Sequence, residues 1–345
     1  MSDASLTIAG VKYGRWTRFE LFRSLESMTP TATFEYSQRD HQRAPIPFEE
    51  GLDCEVKIAG QLVFTGFVDE VDVGGDASSN FLRVTVRGKT GDLVDSSAVP
   101  RNGSRQWKES TPLQIARDVC APFDIDPAVE NGIDVGTQLQ KFSIEEGESC
   151  FDLLDRLARA RGALLVEDDA GNLVFTKQAT GTPDAQIRNP SRYLIGWNRR
   201  SSLRDRYSSY VVKAQHAGSD LFSGEQAGQG FFRTLDPNVF RYRPLIIVAE
   251  HSKASNLERR ALWERNRRAG RGRVLTYRHQ GWYYRNGARW RPNILAQVED
   301  TVARVNGTFL VVSVRLTKDE NGSTSEVQLM APEAFDVLKE VPKRW

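Results

Sequence analysis

At 345 residues the chain exceeds the usual size of one domain, so two to four domains are expected. A hydrophobic content of 39% supplies packed cores and excludes a disordered chain, and no apolar run approaches the ~18–20 residues that span a bilayer, so no membrane insertion is expected. Net charge is +2, from 47 basic and 45 acidic residues, so the average says little about partners and the distribution of charge matters more.

The opening, Met1-Ser2-Asp3-Ala4-Ser5, lacks the charged-then-apolar order of a signal peptide. β-like runs follow at Leu6-Thr7-Ile8, Phe19 to Leu25 and Thr31 to Tyr36. Pro45-Ile46-Pro47 reads as a loop or sheet edge, because proline cannot donate to a central ladder. Residues 54–87 then run strand, Ala59-Gly60 turn, strand, polar loop at 74–80, strand. Turn signals at short, even spacing favour a barrel or sandwich, so residues 1–97 are read as a first all-β module.

Residues 98–180 change character and are read as a small α+β insertion. Thr111-Pro112 is a helix start, with threonine as the cap and proline in the first turn, followed by Leu113, Ala116, Val119 and Cys120 at helical spacing. A second helix starts near Glu148-Ser149, places Phe151, Leu154, Leu157 and Ala158 on one face, and ends at Gly162. Ala163 to Val166 and Leu173 to Phe175 form a hairpin around Asp168 to Asn172.

Residues 181–345 return to β patterning. Strands are expected near 193–195 and 210–214, a long loop over 216–244 followed by a short buried strand at Leu245 to Val248, and an arginine-rich helix over 255–269 capped by Ser255. Tyr277 to Trp290 reads as an aromatic hairpin around Asn286-Gly287. The last stretch, 298–329, repeats the plan of 54–87: strand, Asn306-Gly307 turn, strand, polar loop, strand. The fold expected is mainly β, with two similar tube-like barrel or sandwich modules and an α+β domain inserted between them. Two like modules in one chain suit a symmetry adaptor, which needs no active site.

Enzyme chemistry is hard to find. His41, His216, His251 and His279 are scattered, and Cys54, Cys120 and Cys150 form no close pair, so no metal pattern, cofactor loop or disulfide framework is expected. Gly147-Glu148-Ser149-Cys150-Phe151 resembles the start of a nucleophile elbow but lacks its second glycine, so Ser149 reads as a helix cap. Asp168 and Asp169 read as turn residues rather than a calcium loop. The feature that stands out is charge: Leu257 to Arg291 holds eleven arginines and two acids. This belt has three readings: a solvated helix face, a protein interface, or a nucleic-acid surface that mixes phosphate-binding and base-stacking residue types.

Several segments carry a resemblance. Gln106-Trp107-Lys108 leads into Leu113 through Phe123; Phe64-Thr65-Gly66-Phe67-Val68-Asp69, Lys89-Thr90-Gly91-Asp92-Leu93-Val94-Asp95, Arg241 through Ile247, Gly281-Trp282 and Trp290-Arg291-Pro292-Asn293 add to it. In nearly full coverage and in order, these resemble the baseplate hub proteins of Mu-like contractile-tail bacteriophages, relatives in fold of the trimeric hub above the phage T4 spike. The resemblance implies a homotrimer whose two β modules per chain build a pseudo-six-fold ring between the six-fold tail tube and the three-fold membrane-piercing spike. Implied partners are further copies of the chain, the spike, the tube or a tube-initiating protein, and other baseplate proteins. DNA is expected to pass through the lumen without specific binding. The implied location is the virion baseplate, after assembly in the host cytoplasm. Under this reading no cofactor is expected, and the interface candidates are Arg259, Arg260, Trp263, Arg267, Arg268, Arg271, Trp282 and Trp290. The alternative is a nucleic-acid-binding module using 257–291. A cell-wall hydrolase is the third reading, for which no segment offers a recognisable general acid.

Overall fold

Period-two burial builds the first β module. The structure, a computed structural model, describes residues 4–14, 16–38, 48–75, 80–99, 104–130, 132–215, 230–250, 254–284 and 287–337. Its first strands are β1 (Ala4–Ile8), β2 (Val11–Tyr13), β3 (Arg18–Ser24), β4 (Thr31–Gln38), β5 (Asp53–Ile58), β6 (Gln61–Gly75) and β7 (Asn80–Gly88). Cys54, Val56 and Ile58 on β5, Phe19 and Leu21 on β3, and Val84 and Val86 on β7 are buried while their neighbours are not. Alternation of this kind turns one face of each strand toward a core.

A middle unit follows: α1 (Gly91–Asp95), β8 (Gln106–Ser110), α2 (Pro112–Cys120), β9 (Ala128–Val129), β10 (Leu139–Ser143), α3 (Cys150–Arg161), β11 (Leu164–Glu167) and β12 (Leu173–Thr176). Both predicted helix starts form capping boxes, Thr111 with Gln114 and Ser149 with Asp152. Gly162 closes α3 with φ +68°, which glycine adopts without strain. Leu93, Ile115, Leu153, Leu154, Leu157 and Phe175 share a separate core, so the segment after Gly88 packs with the middle unit rather than with the first module.

The remaining elements are β13 (Ala185–Asn189), β14 (Leu194–Ser201), β15 (Ser209–Gln215), β16 (Phe231–Leu235), β17 (Pro244–Glu250), α4 (Ala254–Arg271), β18 (Arg273–Gln280), β19 (Leu295–Asp300), β20 (Val305–Asp319) and β21 (Gly322–Met330). Three expectations are corrected here. Phe231–Leu235 is a strand inside the stretch read as loop, and most of the rest of that loop, 216–229, lies outside the described residues. The strand expected to be buried at 245–248 is half-exposed, because β17 lies in a three-stranded sheet with β15 and β16 whose inner face alone meets α4 through Val212, Leu257 and Ala261. The aromatic hairpin is shorter than expected: Tyr277 belongs to β18, and the antiparallel turn spans Trp282 to Trp290, where the Trp290 N–H donates to the Trp282 carbonyl at 3.1 Å and Tyr283 pairs with Arg289. Asn286, like Pro45 to Pro47, lies outside the described residues. The side chain of Ser255 does so as well.

The two β modules have one plan. In the first, the strands run β5-β6-β7-β4-β3; in the second, β19-β20-β21-β18-β14. β6 and β20 are each 15 residues long, β7 and β21 each 9. Each long strand is bulged at a matching place, between Val68 and Glu70 and between Val311 and Ser313. One flanking strand differs, since β1 lies antiparallel on β5 and β13 parallel on β19.

A seam joins the modules. Past its bulge, β20 leaves β19 and pairs antiparallel with β3, from Ser313 opposite Ser24 to Lys318 opposite Phe19. The result is a single 13-stranded sheet. Leu21, Phe34 and Val84 share one contiguous core with Tyr277, Leu316 and Val327.

Candidate functional site

Helix α4 carries the arginines that stand out in the sequence, and its two faces explain where they go. Leu257 and Ala261 pack on the small sheet, while Gly270 lies against Ala334 so closely that a Cβ there would sit 2.8 Å from the alanine methyl. Glu264, buried on the same helix, accepts from the Arg260 Nη2 at 3.0 Å and the Arg268 Nε at 3.1 Å, each one turn away. Trp263 is flanked by the guanidiniums of Arg260 and Arg267, 4.8 and 4.9 Å from its ring, and donates its indole N–H to the Asp336 carbonyl at 2.6 Å. Arg271 lies over Phe335 and 3.6 Å from Glu26. Arg259 faces solvent.

The belt therefore holds α4 to its own chain as well as facing outward. Two of the predicted contact residues are not at the surface at all. Trp282 is fully buried and donates to the Thr317 carbonyl at 2.8 Å; Trp290 is buried beside His279, with ring centroids 5.4 Å apart. Both lie in the core shared by the β modules, because the loop after β18 folds over the end of the sheet. Neither is available to stack on a base or a partner in this chain.

The structure adds arginines from elsewhere. A cavity of about 580 Å³ is lined by Arg200, Arg204 and Arg206 from the segment around β14, and by Arg267, Arg268 and Arg271 from α4, with Glu264 and Asp205 as its acids. Burial, then the proximity of Arg271, lowers the Arg267 pKa against the opposing pull of Glu264; Arg159 and Arg268 add to the lowering. Asp236 neutralises Arg206 at 2.7 Å. The sequence holds a faint sign of this group, Arg199-Arg200 and Arg204 within ten residues, but its distance from 257–273 hides the pairing.

The residues weighed for catalysis have structural partners. The Ser149 hydroxyl accepts from the Asp152 N–H at 3.1 Å and so caps α3. Asp168 accepts from the Ala170 and Asn172 N–H groups at 2.9 and 2.8 Å, which fixes the hairpin turn. Burial pushes the Cys54 and Cys120 thiols up to about 12, far from the thiolate a nucleophile needs.

What remains open is strand edge. β14 pairs with β18 on one side and with no described residue on the other, and five consecutive residues from Trp197 to Ser201 are exposed. Beyond Val68, β6 has only β7 beside it among the described residues.

Two like β modules fused through a shared strand pair, with open edges at both ends and the arginines set beside one of them, make an assembly protein of the phage tail-hub fold. Residues 3–88 match the family Mu phage baseplate assembly protein GpP-like, N-terminal; residues 90–177 match Baseplate hub protein gp44-like, second domain; residues 252–338 match Mu phage baseplate assembly protein GpP, fourth domain. The chain is 30% identical to the baseplate hub protein gp44 of Escherichia phage Mu, over 99% of this chain and 91% of that one. It superposes on the 43 kDa tail protein of prophage MuSo2 from Shewanella oneidensis with a TM-score of 0.87 and 31% identity, covering 97% of this chain and 100% of that one. A tail protein from Neisseria meningitidis MC58 shares the fold at a TM-score of 0.80 and 22% identity, over 97% and 98% of the two chains. The chain belongs to the family of Mu-like phage baseplate hub proteins.

Proposed function

We propose that three copies of this chain form a ring of six like β modules at the centre of a contractile-tail baseplate. The ring adapts a six-fold tail tube to a three-fold spike. The observation that carries this reading is the matched strand order of the two modules, with matched strand lengths and bulges. A chain that repeats its own wall twice presents near-equivalent positions at twice the number of copies, while its remaining units keep the three-fold symmetry. The mechanism is geometric and involves no bond chemistry. Partners are the chain itself, the trimeric spike, the tube or its initiating protein, and neighbouring baseplate proteins. Assembly takes place in the host cytoplasm, and DNA later passes through the lumen without specific binding.

Nucleic-acid binding through 257–291 is the weaker reading. Base stacking needs exposed aromatic faces, and Trp282 and Trp290 are in the core while Trp263 is tied to Asp336. Mixing the chain with a trimeric tail-spike protein of a Mu-like phage tests the proposal. The expected product is one complex whose mass is that of a ring plus a spike trimer. Separate species at assembly concentrations would contradict it.

A further inference from the structure

The internal seam specifies what each open edge lacks. Superposing strand orders makes β3 the counterpart of β14, and β6 the counterpart of β20. The cross-strand registers give the residues: Phe19 faces Phe34 as Trp197 faces Tyr277, so Phe19 corresponds to Trp197 and Leu21 to Arg199. Counting from the bulges, Ser313 corresponds to Glu70, Arg315 to Asp72 and Leu316 to Val73. Serine and leucine recur together at the end of each first strand, Ser24-Leu25 and Ser202-Leu203.

Equivalent residues differ in exposure according to whether the seam covers them. Phe19 is 1% exposed and Trp197 44%; Leu316 is 1% exposed and Val73 48%. Leu25, whose N–H donates to the Val312 carbonyl at 2.8 Å, extends the seam, and its counterpart Leu203 is exposed. The two open edges are complementary in charge. The β6 edge carries Asp69, Glu70 and Asp72; β14 and the residues after it carry Arg199, Arg200 and Arg204, with Asp205 among them. Among the described residues Asp72 is paired with Arg83 at 3.7 Å, on the far side of its strand.

We infer that β14 of one copy pairs antiparallel with the second half of β6 of the next copy, in the register of β3 on β20. This rests on the ring proposed above and names the surface that closes it. In that register Asp72 stands opposite Arg200, Glu70 opposite Ser202 and diagonal to Arg200, and Val73 opposite Arg199 and diagonal to Trp197. Opposite residues on one face lie close enough to interact, and opposite charges there favour pairing. Two apolar side chains leave water, two exposed edges are removed, and Asp69 arrives beside Leu203 at the rim of the arginine cavity. The contact is head-to-tail, so it closes only as a ring.

The test is a charge exchange, read as oligomeric mass against concentration. Asp72→Arg and Arg200→Asp are each expected to raise the concentration at which the ring dissociates by about tenfold or more, since every seam in a ring is altered at once, and the double variant to restore it. Circular dichroism and thermal unfolding verify that each variant folds. Independently, a chain carrying Asp72→Cys and Arg200→Cys is expected to form covalent oligomers on oxidation, because the native thiols are buried. A trimer indifferent to both single exchanges, with no cross-link, overturns this pairing and leaves the hub reading standing. A wild-type chain that never trimerises overturns both.

Discussion

Leu21 on β3 and Leu316 on β20 stand directly opposite each other across the seam that joins the two β modules, and both are buried. The seam makes one core of two repeats. Truncating Leu316 to alanine is expected to destabilise the chain by about 2–5 kcal/mol. Both modules are expected to unfold together, in one shared transition at a lower urea midpoint. Two separated transitions in the wild type, with only one of them moved by the substitution, would show the modules to be independent.

Glu167 and His279 are expected to act on stability in opposite directions with pH. Burial pushes the Glu167 carboxyl up to about 7, opposed by hydrogen bonds from Thr90, whose N–H lies 2.8 Å from Oε2. The folded chain thus holds a proton that the unfolded chain has lost above about pH 4.5. Stability from this group is complete below that value and lost as pH rises through 7, by up to about 3 kcal/mol. Burial pushes His279 down to about 4, so its contribution is present above pH 6.5 and lost as pH falls toward 4. Urea midpoints at pH 5 and pH 6.5 check this. In the wild type the two slopes oppose each other; Glu167→Gln leaves stability rising with pH, and His279→Phe leaves it falling. A Glu167→Gln variant with the wild-type pH dependence would contradict the account.

Glu264 neutralises arginines on both sides of one helical turn. Glu264→Gln is expected to cost about 1–3 kcal/mol, since it leaves the clustered guanidiniums of α4 without their buried acid. The loss shrinks as salt is raised from 0.05 to about 1 M, because screening weakens repulsion among the partly exposed arginines. A salt-independent loss would point to packing instead.

Ser149 caps α3 through the Asp152 N–H. Ser149→Ala is expected to lower stability by about 1 kcal/mol. Ser149→Thr, whose hydroxyl can accept the same bond and also donate to the Asp152 carboxylate as Ser149 does at 2.8 Å, recovers most of it. Equal losses in both variants would remove the cap assignment.

Much of this fold is legible in sequence because it obeys short-range rules. Thr111-Pro112, Ser149 and Gly162 mark helix ends through backbone hydrogen bonding that depends on a few neighbouring residues. The repeat is visible because both copies run a 15-residue strand into a polar loop and a 9-residue strand. The turn before it is not repeated: Ala59-Gly60 turns in the first copy, whereas Thr301 to Arg304 turn in the second, and Asn306-Gly307, expected as that turn, lie inside β20 paired with Glu299 and Val298. Trp282 and Trp290 show the limit. They sit in a loop without periodicity, so no alternation distinguishes a core side chain from a contact residue, and their arginine neighbours mimic an interface. The strand at Phe231–Leu235 is masked by the glycines before it. The arginine helix is legible as composition, but the arginines facing it from the segment around β14 are brought there only by tertiary structure. Edge status is only faintly legible locally: Phe19 and Trp197 are both large aromatics at equivalent places, the one sign being Leu21 two residues on where the other strand has Arg199, and sheet order is what shows which of them a neighbour covers.

The ring itself is tested most directly by the mass of the purified chain in solution, measured by light scattering across a wide concentration range. The account predicts a species near three times the 38.9 kDa of one chain, favoured as concentration rises. A chain that stays at 38.9 kDa at the highest concentrations would contradict it.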